Sequence, residues 1–381
     1  MHSTPRAMDL SQALAGVRVC DLSQGIAGPH ATMLMAQYGA DVVKVEPPAG
    51  DWGRMLGPTQ GEHCVHSWYY NLGKRSVALD LKTAEGKEVL TRLVQTCDIF
   101  IESFRPGVAQ RLGFGYDQIK ALRPDAIYVS ISGFGQSGPN SQRGTVDSLM
   151  QGFSGMMTMN QTSDGMPQRQ NMVAVDVLTG VYAFSAVNAA LMGRARTGKG
   201  GVLDISLMQA AANFQGAKIA EYHASEGKPQ AFYGPVGYLP TSDGGISVSC
   251  RRQDHYLALC EVLRRPDLSG ASKFSSIAAR VTDHEELMRE LANSTANWQT
   301  SSLLAALHAA GVLAEKTQTY GQWLEDEHVA ATRAFQWIEA GGWGTLPLVV
   351  PVGVANGPLG RRVAPGIGEH SLEVRAELGL K

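Results

Sequence analysis

Cysteine is scarce in this chain and scattered: Cys20, Cys64, Cys97, Cys250 and Cys260 are the five in 381 residues, an odd number with no CxxC pair. That spacing excludes a zinc or dithiol redox site and predicts reduced, mostly buried thiols. Of ten histidines only His63 and His66 lie close together, and with no third ligand beside them no metal site is expected. Neither sign of charge is in excess, 33 Lys plus Arg against 35 Asp plus Glu, which removes nucleic acid as a partner. The first residues hold no apolar core of signal length, and no unbroken run of about 18 apolar residues follows, so a cytoplasmic protein without a membrane partner is expected. What the chain does have is 44% hydrophobic residues over a length greater than one ordinary core, hence two domains.

Val17 to Leu22 reads as a strand, Gln24 to His30 (QGIAGPH) as a glycine loop, Ala31 to Tyr38 as a helix and Asp41 to Glu46 as a second strand, together a βαβ unit. The loop has no GxGxxG, which excludes nicotinamide and flavin cofactors. Strand and helix keep alternating through Ser76 to Leu81, a helix from Ala84 to Gln95, Asp98 to Ser103, a short helix near Tyr116 to Leu122, and Ala126 to Ser132. That alternation predicts an α/β fold with a mostly parallel, doubly wound sheet and ligand loops at the strand ends. The loops carry Lys74, Arg75, Lys82, Arg105, Arg111 and Arg143, each by itself an ordinary surface charge, together suited to an anionic, phosphate-bearing ligand. Further on come a tight turn at Thr241 to Gly245, a strand ISVSC, and amphipathic helices near Asp254 to Leu263, His284 to Asn297, Ser301 to Ala310 and Tyr320 to Phe335. These predict a smaller α+β domain. Pro347 to Val354 returns to strand, and a helix from Ser371 to Leu378 closes the chain.

The segment Asn171 to Ser206 puts one carboxylate at a helix entrance. Val173, Ala174 and Val175 lead into Asp176, after which Val181, Phe184, Val187, Leu191 and Met192 fall at helical spacing and predict a buried face. Arg194, Arg196 and the glycines from Gly198 to Gly201 end the helix, and Val202 to Ser206 reads as a strand. An aspartate at that position is either the N-cap of the helix or a carboxylate kept ionised by the helix dipole and held rigidly as a nucleophile. The local pattern leaves both open.

Several blocks occurring in order carry a family resemblance: LAGVRVCDLSQGIAGP, YGADVVKVEPPAGD, NLGKRSVALDLKTAEGKEVL, FIESFRPGVAQRLGFGYDQI, DVLTGVYAF followed by RTGKGGVLDISLMQAA, TSDGGISVS and GEHSLEVRAELGL. Over nearly its whole length the chain resembles the family III CoA-transferases (CaiB/BaiF type), a group with formyl-CoA and carnitine CoA-transferases and the related α-methylacyl-CoA racemases. The resemblance implies a Rossmann-like large domain from residues 1–222, a smaller domain over 223–335, a segment 336–381 returning to the large domain, and an interlocked homodimer. It implies Asp176 as the catalytic aspartate, with CoA and acyl-CoA as substrate and no permanently bound cofactor. It places CoA contacts at Ile26 and Ala27, at Leu79, Asp80, Leu81 and Lys82, at Ser103, Phe104 and Arg105, at Arg111, and from Gly144 to Asp147. The chain departs from the transferases at Ser103, where they often carry Asn, and at Pro47, where they carry Arg.

The chemistry so implied moves CoA from an acyl-CoA to a small carboxylic acid through aspartyl anhydride and aspartyl-CoA thioester intermediates, with backbone N–H groups near Gly25, Gly28 and Gly133 to Gly138 as candidates for the oxyanion. Racemisation needs an acid/base pair instead. The racemase branch carries a His-Asp pair in a GHD motif, and the matching Arg143 to Asp147 (RGTVD) has no histidine. The missing base favours the transferase; a racemase or epimerase, and a non-catalytic CoA-binding subunit of a heteromer, are the alternatives. The short segment Tyr233 to Gly245 lacks the long glycine run of oxalate-using relatives, so a larger acid is expected, a dicarboxylate with succinyl-CoA as donor. His223, Tyr233, Tyr238, Arg251 and Arg252 are the small-domain candidates for reaching the acyl pocket.

Overall fold

The run RVCDL, the alternating DVVKVE and the apolar stretches IFIE and IYVSIS become the inner strands of one sheet. In the computed structural model, which describes residues 9–162, 164–227, 232–353 and 363–380, these are β1 (Arg18–Leu22), β2 (Asp41–Glu46), β4 (Ile99–Glu102) and β5 (Ile127–Ser132), flanked by β3 (Arg75–Ala78) and β6 (Gly201–Ser206). The spatial order is β3-β2-β1-β4-β5-β6 and every neighbour is parallel. Parallel neighbours require crossovers, and burial on both faces explains why the inner strands are nearly continuous in apolar residues.

Successive side chains of the strands feed two cores. Val19, Val42, Ile99, Ile101 and Val129 pack with α1 (Ala27–Gln37) and α5 (Ala174–Thr197) on one face; Cys20, Val43, Val45 and Phe100 pack with α2 (Ala84–Thr96) and α3 (Tyr116–Leu122) on the other. Two shorter helices, α4 (Asp147–Phe153) and α6 (Leu207–Phe214), flank α5 in sequence. All five cysteines are buried and unpaired.

Helix α1 begins earlier than its sequence suggests. The expected loop at Gln24 to His30 ends at Ile26, and Gly28 and Pro29 lie in the first helical turn, where the missing proline N–H has no helical partner to lose. A Cβ on Gly28 would stand 2.2 Å from the Ser23 side chain, so glycine lets the helix start this close to its strand. Helix α5 also differs. Its buried residues are Val175, Thr179, Gly180, Ala183 and Val187, whereas Val181 and Met192, expected inside, are 42% and 72% exposed. Small residues let α5 lie against α1, where a Cβ on Gly180 would come within 2.6 Å of His30 Nδ1. Small and weakly polar residues break the apolar run, yet α5 is long and apolar enough by composition to cross a membrane; its inner face is packed against the sheet.

By internal packing the chain divides into residues 1–219 with 333–381, and residues 220–332. The second unit carries β7 (Val236–Thr241), β8 (Gly244–Ser249) and β9 (Leu313–Lys316) as an antiparallel sheet, with α7 (Gln253–Val262), α8 (His284–Thr295) and α9 (Thr300–Ala309) closing its core. The single helix expected over Tyr320 to Phe335 is two short ones, Tyr320–Leu324 and Glu327–Thr332, and Phe335 opens a strand. The break comes at Asp326, whose side chain accepts from the His328 and Val329 N–H groups and starts the second helix. In the larger unit the hairpin Phe335–Glu339 and Thr345–Val349 follows. The strand expected from Pro347 to Val354 stops at Val349, and Val354 lies outside the described residues. The closing helix, Ser371–Glu377, packs Val374 into the core of α2 and β3.

Candidate active site

The strand order reverses between β1 and β4, and sheets of this kind bind ligands outside the carboxyl ends of the strands at that point. A cavity of about 330 Å³ opens there, floored by Ile26 and Ala27 at the start of α1, Ser103 after β4, Ser132 at the end of β5 and Gly133 beyond it, with Asp176 in its wall. A second cavity of about 470 Å³ adds Phe104, Arg105, Arg143 and Gly144. Trp52, Ser103, Gly133 and Thr145 line both, which makes them an inner and an outer chamber of one cleft.

Asp176 is held in position by another acid. The N-cap residue of α5 is Val173, which has no capping side chain. The cap comes from Asp147, whose Oδ2 accepts from the N–H groups of Val175 (2.6 Å) and Asp176 (3.1 Å). Asp147 Oδ1 accepts from Gln151 Nε2 (2.7 Å), and the buried Gln151 amide also takes the Gln170 N–H and donates to Met172 O. Of the two roles open to Asp176 in the sequence, capping therefore falls to Asp147. The Asp176 carboxyl accepts no hydrogen bond from the described residues and faces the inner chamber. Burial, and then the negative charge of Asp147, push its pKa up to about 7. The expectation that the helix dipole keeps it fully ionised is corrected accordingly: desolvation and like charge outweigh the dipole.

Beside this pair stands Tyr70, whose hydroxyl is pushed up by burial and by the neighbouring Tyr69, Asp176 and Asp147 charges. Its ring lies 5.2 Å from that of His30. Burial pushes His30 down to about 4, and its Nδ1–H donates to Val177 O at 3.1 Å. No histidine lines the inner chamber among the described residues.

The glycine loop after β1 is anchored from behind. Both Asp51 oxygens accept from Gly25 N–H (3.0 and 3.2 Å), and the same carboxylate accepts from Gly53 N–H and from the buried Lys44 Nζ at 2.8 Å each. Gly25 has φ +78°, and a Cβ there would stand 2.4 Å from the Trp52 ring, so glycine seats Trp52 over the cleft. Lys74 pairs with Asp21 at 3.1 Å inside the core, and Arg75 pairs with Asp41, Glu373 and Glu377. Both were expected among the ligand-facing cations; their charge is used internally instead. The oxyanion candidates narrow in the same way, since Gly25 N–H is taken and Gly28 is packed on Ser23. Ile26 and Ala27, at the free N–H end of α1, and Gly133 remain at the cavity.

Of the residues expected at the site, Ile26, Ala27, Ser103, Asp147 and Asp176 meet in the inner chamber, and Phe104, Arg105 and Gly144 in the outer one with Arg143. The Ser103 hydroxyl accepts from Gln24 N–H at 2.8 Å, tying the β1 and β4 loops together. Leu79, Asp80, Leu81, Lys82 and Arg111 line neither chamber; Leu79 is a core residue, and Asp80 accepts from Lys82 N–H. Of the small-domain candidates, Arg252 is paired with Asp254 and Tyr233 with Ser249. Sequence reasoning missed Trp52, Gln151 and Arg169. Arg169 had one available signal, a cation in the segment that leads into α5. Among the described residues no group of three or more His, Cys, Asp or Glu side chains could hold a metal ion.

With this geometry, comparison with known proteins is informative. Residues 14–371 match the family described as CoA-transferase family III. The chain is 33% identical over 385 residues to a succinate–glutarate CoA-transferase of Agrobacterium fabrum, covering 96% of this chain and 95% of that one. It is 33% identical over 316 residues to a succinyl-CoA:glutarate CoA-transferase of Homo sapiens, covering 80% and 72%. A crystal structure of a CAIB/BAIF family protein from Brucella suis superposes with a TM-score of 0.86 at 32% identity, over 97% of this chain and 100% of that chain.

Proposed function

The chain belongs to CoA-transferase family III and is an enzyme acting on CoA thioesters and carboxylic acids, and from that premise we propose that it exchanges CoA between dicarboxylic acids with Asp176 as the acyl acceptor. The Asp176 carboxylate attacks the donor thioester carbonyl; the C–S bond breaks, leaving a mixed anhydride and CoA thiolate. The thiolate attacks the aspartyl carbonyl, releases the donor acid and leaves CoA as a thioester on Asp176. The acceptor carboxylate attacks that thioester, the thiolate leaves again, and its attack on the acceptor carbonyl of the new anhydride yields product acyl-CoA and free Asp176. No net proton is exchanged.

One observation carries this reading: the Asp176 carboxyl sits in the wall of a cleft without a hydrogen-bond donor among the described residues, on a helix whose first turn is fixed by a second acid. Lack of a tight partner preserves nucleophilicity, and fixation supplies the position that a weak nucleophile needs. The N–H groups of Ile26 and Ala27 suit the developing oxyanion, and Arg105 and Arg143 in the outer chamber suit the phosphates of CoA. Leu79, Asp80, Leu81, Lys82 and Arg111 are assigned to CoA on the family resemblance alone. The dicarboxylate class is supported by the substrates in the names of the two relatives. The working form in this reading is an interlocked homodimer, supported by Leu149, Phe153, Met172 and Phe214, all at least half exposed; light scattering at twice the 40.8 kDa chain mass checks it.

The test is intact-protein mass spectrometry after incubation with succinyl-CoA, with hydroxylamine trapping. A CoA-sized, hydroxylamine-sensitive adduct that maps to Asp176 and is absent from Asp176→Ala is expected. Absence of adduct with every acyl-CoA tried, together with exchange of an α-proton into deuterated solvent, would sink this reading in favour of the racemase.

A further inference from the structure

The outer chamber holds two cations, Arg105 and Arg143, and the inner one holds a single cation among its described lining residues, Arg169. The rest of the inner wall is apolar or neutral apart from two acids, Asp147 and Asp176. An entering carboxylate therefore meets like charge on the side where it must react, and the one opposite charge among the described lining residues of this chamber is the Arg169 guanidinium.

That guanidinium has no carboxylate partner among the described residues, whereas several arginines elsewhere in the fold have one. Arg54 is matched to Glu46 through two hydrogen bonds, Arg75 to three carboxylates and Arg194 to Asp98. The described contact of Arg169 is a hydrogen bond from Nη2 to the neutral Asn171 Oδ1 at 3.1 Å. The chamber, about 330 Å³, lies at the small end of ligand pockets, which fits a short acid better than a long acyl chain. A short acid with one carboxyl at Asp176 has its other end within the same chamber.

We propose that Arg169 is the specificity-determining residue that binds the distal carboxylate of a short dicarboxylic acid, or of its mono-CoA thioester, while the proximal carbonyl or carboxylate reacts at Asp176. A guanidinium pairs with a carboxylate through a flat, two-pronged hydrogen bond, which fixes the orientation of the acid as well as its charge. The assignment rests on the reading of Asp176 as the acyl acceptor.

The test compares two donors of equal chain length, succinyl-CoA and butyryl-CoA, by the rate of adduct formation on Asp176, and two acceptors, glutarate and valerate, by steady-state transfer. The wild type, Arg169→Gln and Arg169→Lys are assayed side by side. The expected result is wild-type preference for succinyl-CoA and glutarate, a loss on the order of 100-fold in kcat/KM for these two in Arg169→Gln, and a change of less than about 3-fold for butyryl-CoA and valerate, consistent with the strength of charged hydrogen bonds. Arg169→Lys should recover part of the loss, since it keeps charge without the fork. The ratio between diacid and monoacid cancels any loss of folded enzyme. An equal loss on both classes, or no loss on either, overturns the assignment while leaving Asp176 intact as acceptor. If the wild type forms no adduct with any acyl-CoA, the reading of Asp176 falls, and this one with it.

Discussion

Two regions on either side of the cleft handle buried charge in opposite ways. Behind the glycine loop, Asp21, Asp51, Lys44 and Lys74 are fully enclosed and every charge has a partner within hydrogen-bond distance. Across the cleft, Asp176 is half-buried beside a second acid, with no ion-pair partner among the described residues, and its pKa rises to about 7. The difference is that the first matches charges and becomes rigid scaffold, whereas the second leaves one carboxylate unmatched and available for chemistry.

If that contrast is right, removing the unmatched acid abolishes function and spares the fold, while removing a matched one does the reverse. Asp176→Asn should reduce transfer by at least about 10⁴-fold, as for the loss of a covalent nucleophile, with thermal stability equal to or above that of the wild type. Loss of both activity and structure would break the comparison. The reciprocal change, Asp51→Ala, strands Lys44 in the core and should destabilise by about 3–5 kcal/mol in urea unfolding. Pairing it with Lys44→Met should restore much of that, because a neutral apolar pair carries no desolvation penalty.

A smaller change sharpens the comparison at the shared acid. Asp147→Asn keeps an oxygen for the Val175 and Asp176 N–H groups and removes the charge, but its amide can no longer accept from Gln151 Nε2; the helix start should weaken by about 1–3 kcal/mol, and the Asp176 pKa should fall. In the wild type the acylation rate should rise with pH through a midpoint near 7, since the carboxylate is the nucleophile. In Asp147→Asn the midpoint should move to lower pH, and an unmoved midpoint would show that Asp147 does not act on Asp176 electrostatically. The smallest expected effect is on stability. Because burial holds the folded-state pKa of Asp176 above its unfolded value, its contribution is fully present below the unfolded pKa and is lost as pH rises through about 7. Differential scanning calorimetry should therefore show the Asp176→Asn variant gaining on the wild type at pH 8 and not at pH 4.

Much of this was legible in the sequence. Strand and helix alternate along the first part of the chain because each βαβ crossover must bury its strand on both faces, and IFIE and IYVSIS carry that requirement as apolar runs. The position of Asp176 at a helix entrance was legible too, as was the gathering of Ile26, Ala27, Ser103 and Asp147 through their likeness to a family. Less legible was which face of α5 is inner: the large residues Val181 and Met192 pointed one way, and the close approach to α1 selected the small ones, Thr179, Gly180 and Ala183, instead. The break at Asp326 went unread because an aspartate within an amphipathic pattern looks the same whether it is solvated or capping.

What the sequence determined by itself is local: the periodicity that makes each element, the glycines and prolines that bound it, and the chemistry available at each position. What only the tertiary structure decided is pairing. That Asp147 rather than Asp176 caps α5, that Lys74 and Arg75 are consumed inside the fold, and that Arg169 shares a chamber with Asp176 all depend on side chains from separate elements meeting in space. Capping and ion pairing act over a few ångströms, and the partners here are up to some 300 residues apart in the chain, as Arg75 and Glu377 are, so nothing in either residue's neighbourhood announces the other.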